Sequence, residues 1–110
     1  NLIDGEVAIQ AGGAKFVARD LRVVIRADGM EPCPASLAVP PHRLRIVDLG
    51  EGALPGAAKR AAYLASRIEY VVATPWGELL VFDADARTPR RRDEPVGVAF
   101  DSDAPIVLRR

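Results

Sequence analysis

Reactive side chains are scarce in this chain. It holds one cysteine, one histidine, one tryptophan and one methionine. A lone Cys33 cannot close an internal disulfide, which fits a reducing compartment. It stands between Pro32 and Pro34 with no histidine or second cysteine beside it, so neither a metal site nor a thiol nucleophile is expected there. His42 is likewise alone, and the plain expectation is a histidine facing solvent or capping a turn. No Gly-x-x-x-x-Gly-Lys-Ser/Thr run and no Ser-His-Asp constellation occurs, so no catalytic residue is assigned. Surplus charge is absent too. Fifteen basic residues balance fifteen acidic ones, whereas affinity for nucleic acid rests largely on a positive excess. No apolar run reaches the roughly 18 residues that span a bilayer. The first residues, Asn1-Leu2-Ile3-Asp4-Gly5, show neither signal-peptide anatomy nor an initiator methionine, and the expectation is a domain belonging to a longer chain.

What the chain does have is glycine, proline and apolar residues in short runs. Nine glycines and nine prolines lie scattered among 110 residues that are 49% hydrophobic. That density favours short strands with many turns over long helices, within one domain of modest core. The clearest signal is a hairpin from Arg67 to Asp83. Ile68, Tyr70 and Val72 share one face of its first arm, and Arg67 and Glu69 point away. The connector Thr74-Pro75-Trp76-Gly77 puts proline at the second turn position and glycine at the fourth, as a type I turn favours. A single hairpin is marginal in water, so other strands must cover it.

Those strands are expected from the remaining segments. Leu2 to Gln10 alternates loosely, with Ile3, Gly5, Val7 and Ile9 on one face. Ala11-Gly12-Gly13-Ala14 turns the chain into a return strand, Lys15 to Ala18. Leu21 to Arg26 is a further strand, Ala27 to Pro34 a loop, and Ala35 to Val39 a short extended piece. Pro41 suits the first position of a brief helical turn, after which Arg45 to Asp48 resumes as strand. Leu49 to Gly56 is expected as loop. Ala57 to Ala65 has high intrinsic helix propensity but is too short to be stable without tertiary support. Ala84 to Pro95 is polar. Its Arg87 and Arg90-Arg91-Arg92 are nearly cancelled by Asp83, Asp85, Asp93 and Glu94, so a solvated loop is expected. Val96, Val98 and Phe100 alternate on one side of the next strand. A turn over Asp101 to Pro105 leads to a last strand, Ile106 to Leu108.

The order of these segments resembles the TOBE domain, the C-terminal accessory domain of ATP-binding subunits in ABC-type importers. Asn1-Leu2-Ile3-Asp4-Gly5-Glu6-Val7 resembles that family's opening Asn-x-x-x-Gly-x-Val segment. Leu37 to Ile46 resembles its strand running into Arg-Pro-Glu-x-Leu/Ile, though Pro40-Pro41-His42 keeps only the proline. Ala58 to Val72 resembles its strand, Leu-Gly bend and second strand, with Ala65 in place of the glycine. Trp76 to Val81 resembles its hairpin return, and Pro95 to Asp101 with Ile106 to Leu108 its closing pair.

The resemblance implies an all-β fold, a small OB-like antiparallel barrel of short strands covering residues 1–110. It also implies that Ala57 to Ala65 is strand. As partners it implies the subunit's own ATPase domain, a second copy of the ATP-binding subunit and, indirectly, membrane permease subunits. The location implied is cytoplasmic, peripheral to the inner face of the cell membrane. ATP and Mg are expected in a separate N-terminal domain, with no cofactor or metal in this one. Pro41, His42, Arg43 and Trp76 are the candidate partner interface.

Two other functions compete. Binding of a small oxyanion such as molybdate needs converging N–H, Ser, Thr or Lys donors. Ser66 and Lys59 are the candidates, and the missing bend glycine counts against them. A nucleic-acid barrel needs exposed stacking aromatics. Of Phe16, Tyr63, Tyr70, Trp76, Phe82 and Phe100, most fit core-facing positions, leaving Trp76 as the exposed ring.

Overall fold

A computed structural model describes residues 1–10, 13–25, 31–52, 54–84, 89–101 and 103–109. The Gly12 part of the first expected turn, most of the loop after Ile25, and Asp85 and Arg87 lie outside the described residues.

The chain is all-β and antiparallel throughout. One sheet holds β1 (Leu2–Gln10), β2 (Gly13–Ala18), β3 (Leu21–Ile25), β4 (Cys33–Ala38) and β10 (Ile106–Arg109), in the order β10-β4-β1-β2-β3. The other holds β5 (Leu44–Val47), β6 (Leu54–Leu64), β7 (Arg67–Thr74), β8 (Gly77–Asp83) and β9 (Pro95–Phe100), in the order β5-β9-β6-β7-β8. A 3-10 turn, Pro41–Arg43, carries the chain from one sheet to the other. Pro41 opens it, where a missing N–H leaves nothing unsatisfied.

The hairpin of β7 and β8 forms as its turn chemistry predicts. Thr74 pairs with Gly77 across Pro75-Trp76, and Gly77 takes a φ of +114°, open only to a residue without Cβ at low cost. Thr74 Oγ1 accepts a hydrogen bond from the Trp76 N–H at 3.1 Å and donates to the Gly77 carbonyl at 2.7 Å. Ile68, Tyr70 and Val72 are buried as their alternation requires. Arg67 and Glu69 face outward, 3.4 Å apart, and the Arg67 guanidinium lies 4.3 Å above the Phe82 ring.

Ala57 to Leu64 is strand, as the family resemblance implies and local propensity does not, while Ala65 falls in the turn before β7. Ala58 is buried and the strand's backbone pairs with β7 from Ala57 to Leu64, so ladder bonds and tertiary packing override the preference of alanine for helix. A β-bulge interrupts the register between Ala58 and Arg60.

The second sheet curls until its edge strands meet. The buried Asp83 carboxylate at the end of β8 accepts a 2.8 Å hydrogen bond from the Ile46 N–H in β5. This closes the five strands toward a barrel around Leu44, Leu54, Ala58, Tyr70, Val72, Leu79, Val81, Val96 and Val98. The first sheet buries Ile3, Val7, Phe16, Leu21, Val23, Ala35 and Leu37. The whole is elongated, with extents of 42 × 23 × 23 Å.

Several local expectations need correction. Cys33 and Pro34 are in β4, not loop; Pro34 lies opposite Glu6 near the strand's start, while the ladder to β10 begins one residue later at Ala35. Leu54-Pro55-Gly56 is strand, pairing with Val98, Gly97 and Val96. Gly56 belongs there because a Cβ would meet Val72 Cγ1 at 2.7 Å and the Ala73 carbonyl at 2.8 Å. Ile9 keeps its place in β1 but is 46% exposed. Tyr63 is 65% exposed, lying where β6 runs beyond its pairing with β9.

Candidate partner interface

Asn1, just before the central strand β1 of one sheet, reaches the edge strand β8 of the other. Its side-chain amide donates to the Leu80 carbonyl at 2.7 Å and accepts from the Leu80 N–H at 2.8 Å. Its own carbonyl accepts from the Val39 N–H at 3.0 Å. A carboxamide presents the same donor and acceptor pair as a peptide group, so Asn1 completes one rung that β8, an edge strand, otherwise lacks.

Trp76 makes the second joint. Its ring is half-buried against the core, and its indole Nε1 donates to the Ala18 carbonyl in the other sheet at 2.7 Å. The exposed stacking ring expected from the sequence is therefore an anchored one. Position in a turn signalled exposure, whereas the neighbouring sheet supplies the cover. Arg19 adds a 3.1 Å bond from its guanidinium to the Pro75 carbonyl, and its backbone sits at φ +53°. Leu2, Ile3, Asp4, Ala18, Arg19, Pro75 and Trp76 together line an open cleft of about 240 Å³. Leu2 at its rim is 62% exposed.

The other three candidates lie apart from that cleft. Pro41, His42 and Arg43 form the 3-10 turn, which packs on β8. His42 is exposed, in line with a solvent-facing histidine. Arg43 pairs with Asp103 at 2.9 Å, and Arg45 with Asp101 at 3.3 Å, tying this turn and β5 to the turn after β9. All four partners are well exposed, so each pair contributes little to stability. No hydrogen bond or ion pair joins His42 or Arg43 to Trp76 among the described residues.

A second surface surrounds the segment before β9. The Arg90 guanidinium reaches Asp48 at 2.9 Å and Glu94 at 3.1 Å, and the Arg90 backbone N–H donates to the buried Tyr70 hydroxyl at 3.1 Å. Hydrogen bonds to Glu94 and Asp48 hold the Arg90 guanidinium more firmly protonated than usual. Burial pushes the Tyr70 phenol above its ordinary range, against a lowering by its bond from Arg90. Glu94 is held below the usual carboxylate range, first by the Arg91 N–H and then by Arg90. Lys59 pairs with Asp93 at 2.6 Å and lowers that carboxyl in the same way. Asp93 and Glu94 do pair with neighbouring cations, but Arg90 is anchored rather than solvated. Its link to Asp48, 42 residues away, left no local trace in the sequence.

Asp83 could have been found in advance. Leu79, Val81 and Asp83 alternate onto one face, and an acid in that register needs a donor across the barrel. Among the described residues no group of three or more His, Cys, Asp or Glu side chains could hold a metal ion. Ser66 is exposed in the β6–β7 turn, and Lys59 is paired with Asp93.

The family model described as TOBE domain matches residues 37–108, from the end of β4 through β10. This chain belongs to the TOBE domain family. It is also similar to the Fe(3+) ions import ATP-binding protein FbpC of Agrobacterium fabrum, with 31% identity over 101 residues, 91% of this chain and 29% of that protein. A second relative is the Fe(3+) ions import ATP-binding protein FbpC 1 of Rhizobium meliloti, with 35% identity over 94 residues, 84% of this chain and 27% of that protein. The TOBE domain described here spans less than a third of the length of either relative.

Proposed function

We propose that this TOBE domain is the accessory domain of the ATP-binding subunit of an ABC importer. The observation that carries this is the match of nearly the whole chain to one part of two import ATP-binding proteins. In this reading ATP and Mg bind outside the domain, and hydrolysis happens there. The domain's work is to be packed against by its own ATPase domain and by a second copy of the subunit, with permease subunits reached indirectly. The complex would sit on the cytoplasmic face of the membrane. The names of the relatives extend the proposal to ferric iron as cargo, selected elsewhere in the transporter.

The cleft of Leu2, Arg19 and Trp76 is the proposed docking point for the ATPase domain. It combines an exposed leucine with a tryptophan and an arginine, residue types that dominate interface energetics. It lies beside Asn1, whose clamp on Leu80 would fix the angle at which a preceding domain arrives. Pro41, His42 and Arg43 are proposed to face the second copy. The test is ferric iron uptake and ATPase activity of the full-length subunit assembled with its permease. Arg19→Glu is expected to lower coupled uptake at least fivefold while the purified subunit keeps its basal ATPase. Unchanged uptake in Arg19→Glu would remove the proposed docking point. A full-length protein without nucleotide hydrolysis would remove the accessory-domain reading itself.

A further inference from the structure

The cleft beside the bulge of β6 is rich in cationic side chains. It is about 140 Å³ and is lined by Lys59, Arg60, Tyr63, Arg90, Arg91 and Arg92. Three acids among the described residues pair at this surface: Asp93 with Lys59, and Asp48 and Glu94 with Arg90. Among the described residues the guanidiniums of Arg60, Arg91 and Arg92 have no ion pair or hydrogen bond of their own. Among the described residues five cations face three acids here, and the positive excess raises the energy of the free domain through mutual repulsion that an anion would relieve.

The backbone holds these groups in place. The Asp93 N–H donates to the Ala58 carbonyl, and the Ala58 N–H donates to the Glu94 carbonyl at 3.0 Å. These two bonds staple the arginine segment to β6 where the bulge begins, leaving Lys59 and Arg60 next to it. Arg60 and Arg92 therefore come from different elements yet bound one cleft. Tyr63, 65% exposed, adds an uncovered aromatic ring to the same wall.

We propose that this cleft binds the pyrophosphate group of a small phosphorylated molecule. Guanidinium forks match phosphate oxygens in pairs, and three of them suit more than one phosphoryl group. Ligand pockets for whole drug-sized molecules run to about 300–1,000 Å³. A cleft of about 140 Å³ therefore takes the head group, and any organic remainder lies outside, over Tyr63. The inference is independent of the importer reading and concerns the 110-residue chain alone.

The test is an amide and aromatic NMR titration of the 110-residue chain with sodium pyrophosphate, ADP and sulfate, at low and at high salt. Expected are saturable shifts confined to residues 58–63 and 89–94 with pyrophosphate and with ADP, and affinity that falls at high salt. Sulfate is expected to bind at least tenfold more weakly. ADP binding more tightly than pyrophosphate and moving the Tyr63 ring signals identifies a nucleotide as the source; equal affinity identifies the inorganic ion. Arg60→Gln with Arg92→Gln is expected to weaken pyrophosphate binding at least tenfold at unchanged melting temperature, since both side chains are exposed. Absence of saturable shifts, shifts spread over the surface, or full affinity in the double variant would overturn the proposal.

Discussion

Gly5→Ala is expected to damage this fold severely, through space alone. Gly5 lies in β1 between Asp4 and Glu6, paired with Ala35 in β4. It needs no unusual backbone: unlike Gly13, Gly50 and Gly77 it does not have a positive φ. A Cβ added there would instead press into the Val17 carbonyl, meet Phe16 Cζ at 2.8 Å and meet Ala18 Cβ at 3.0 Å. Ordinary contacts of this kind begin near 3.4 Å, so β1 and β2 must separate by roughly half an ångström or more. Reduced freedom of the unfolded chain would favour alanine by about 0.4–1 kcal/mol. Overpacking opposes it by about 1–3 kcal/mol, and here one obstacle is backbone in the ladder itself. The net expectation is a loss of about 2 kcal/mol, or roughly 8–12 °C in melting temperature for a domain of this size. Thermal and urea melts followed by circular dichroism measure it. Phe16→Leu in the same chain should restore only part of the loss, since it shortens the ring but leaves the Val17 carbonyl. A Gly5→Ala protein that melts at or above the parent temperature would show that the strand pair yields freely, and the steric argument would fail.

Three further outcomes are expected. Trp76→Phe removes the bond to the Ala18 carbonyl and should cost about 1 kcal/mol; in the parent, emission from this single tryptophan should shift to the red in the same transition that the circular dichroism reports. Tyr70→Phe leaves the Arg90 N–H without its acceptor, at about 1–2 kcal/mol at neutral pH. Because burial raises the Tyr70 phenol in the folded state, its contribution is intact below about pH 10 and is lost as pH rises through the raised value. Melting temperatures from pH 9 to 12 should therefore fall less steeply in Tyr70→Phe than in the parent. Asp93 and Glu94 have lowered carboxyl values in the fold, so their contribution is present above the ordinary carboxylate range and is lost as pH falls from about 5 through the lowered values. Asp93→Asn should flatten that acid limb, and an unaltered pH profile would show that the Lys59 pair is inert.

The residues by themselves determined one hairpin in detail and the approximate place of most other strands. Alternation placed Ile68, Tyr70 and Val72 inward, and Thr74-Pro75-Trp76-Gly77 specified its own turn, because period and turn chemistry are local properties. The ordered family motifs brought the all-β fold within reach as well, including β6, where alanine's own preference points to helix. Only the tertiary structure decided what depends on distant neighbours. The ladders flanking Ala57 to Leu64 show how that preference is overridden. The opposite sheet turned Trp76 from an exposed ring into a joint, and Tyr63 is exposed where β6 runs beyond its pairing with β9. Asn1 with Leu80, Asp48 with Arg90 and Asp83 with Ile46 join positions 37 to 79 residues apart. Such pairings carry no local period, so they exist only once the chain has closed.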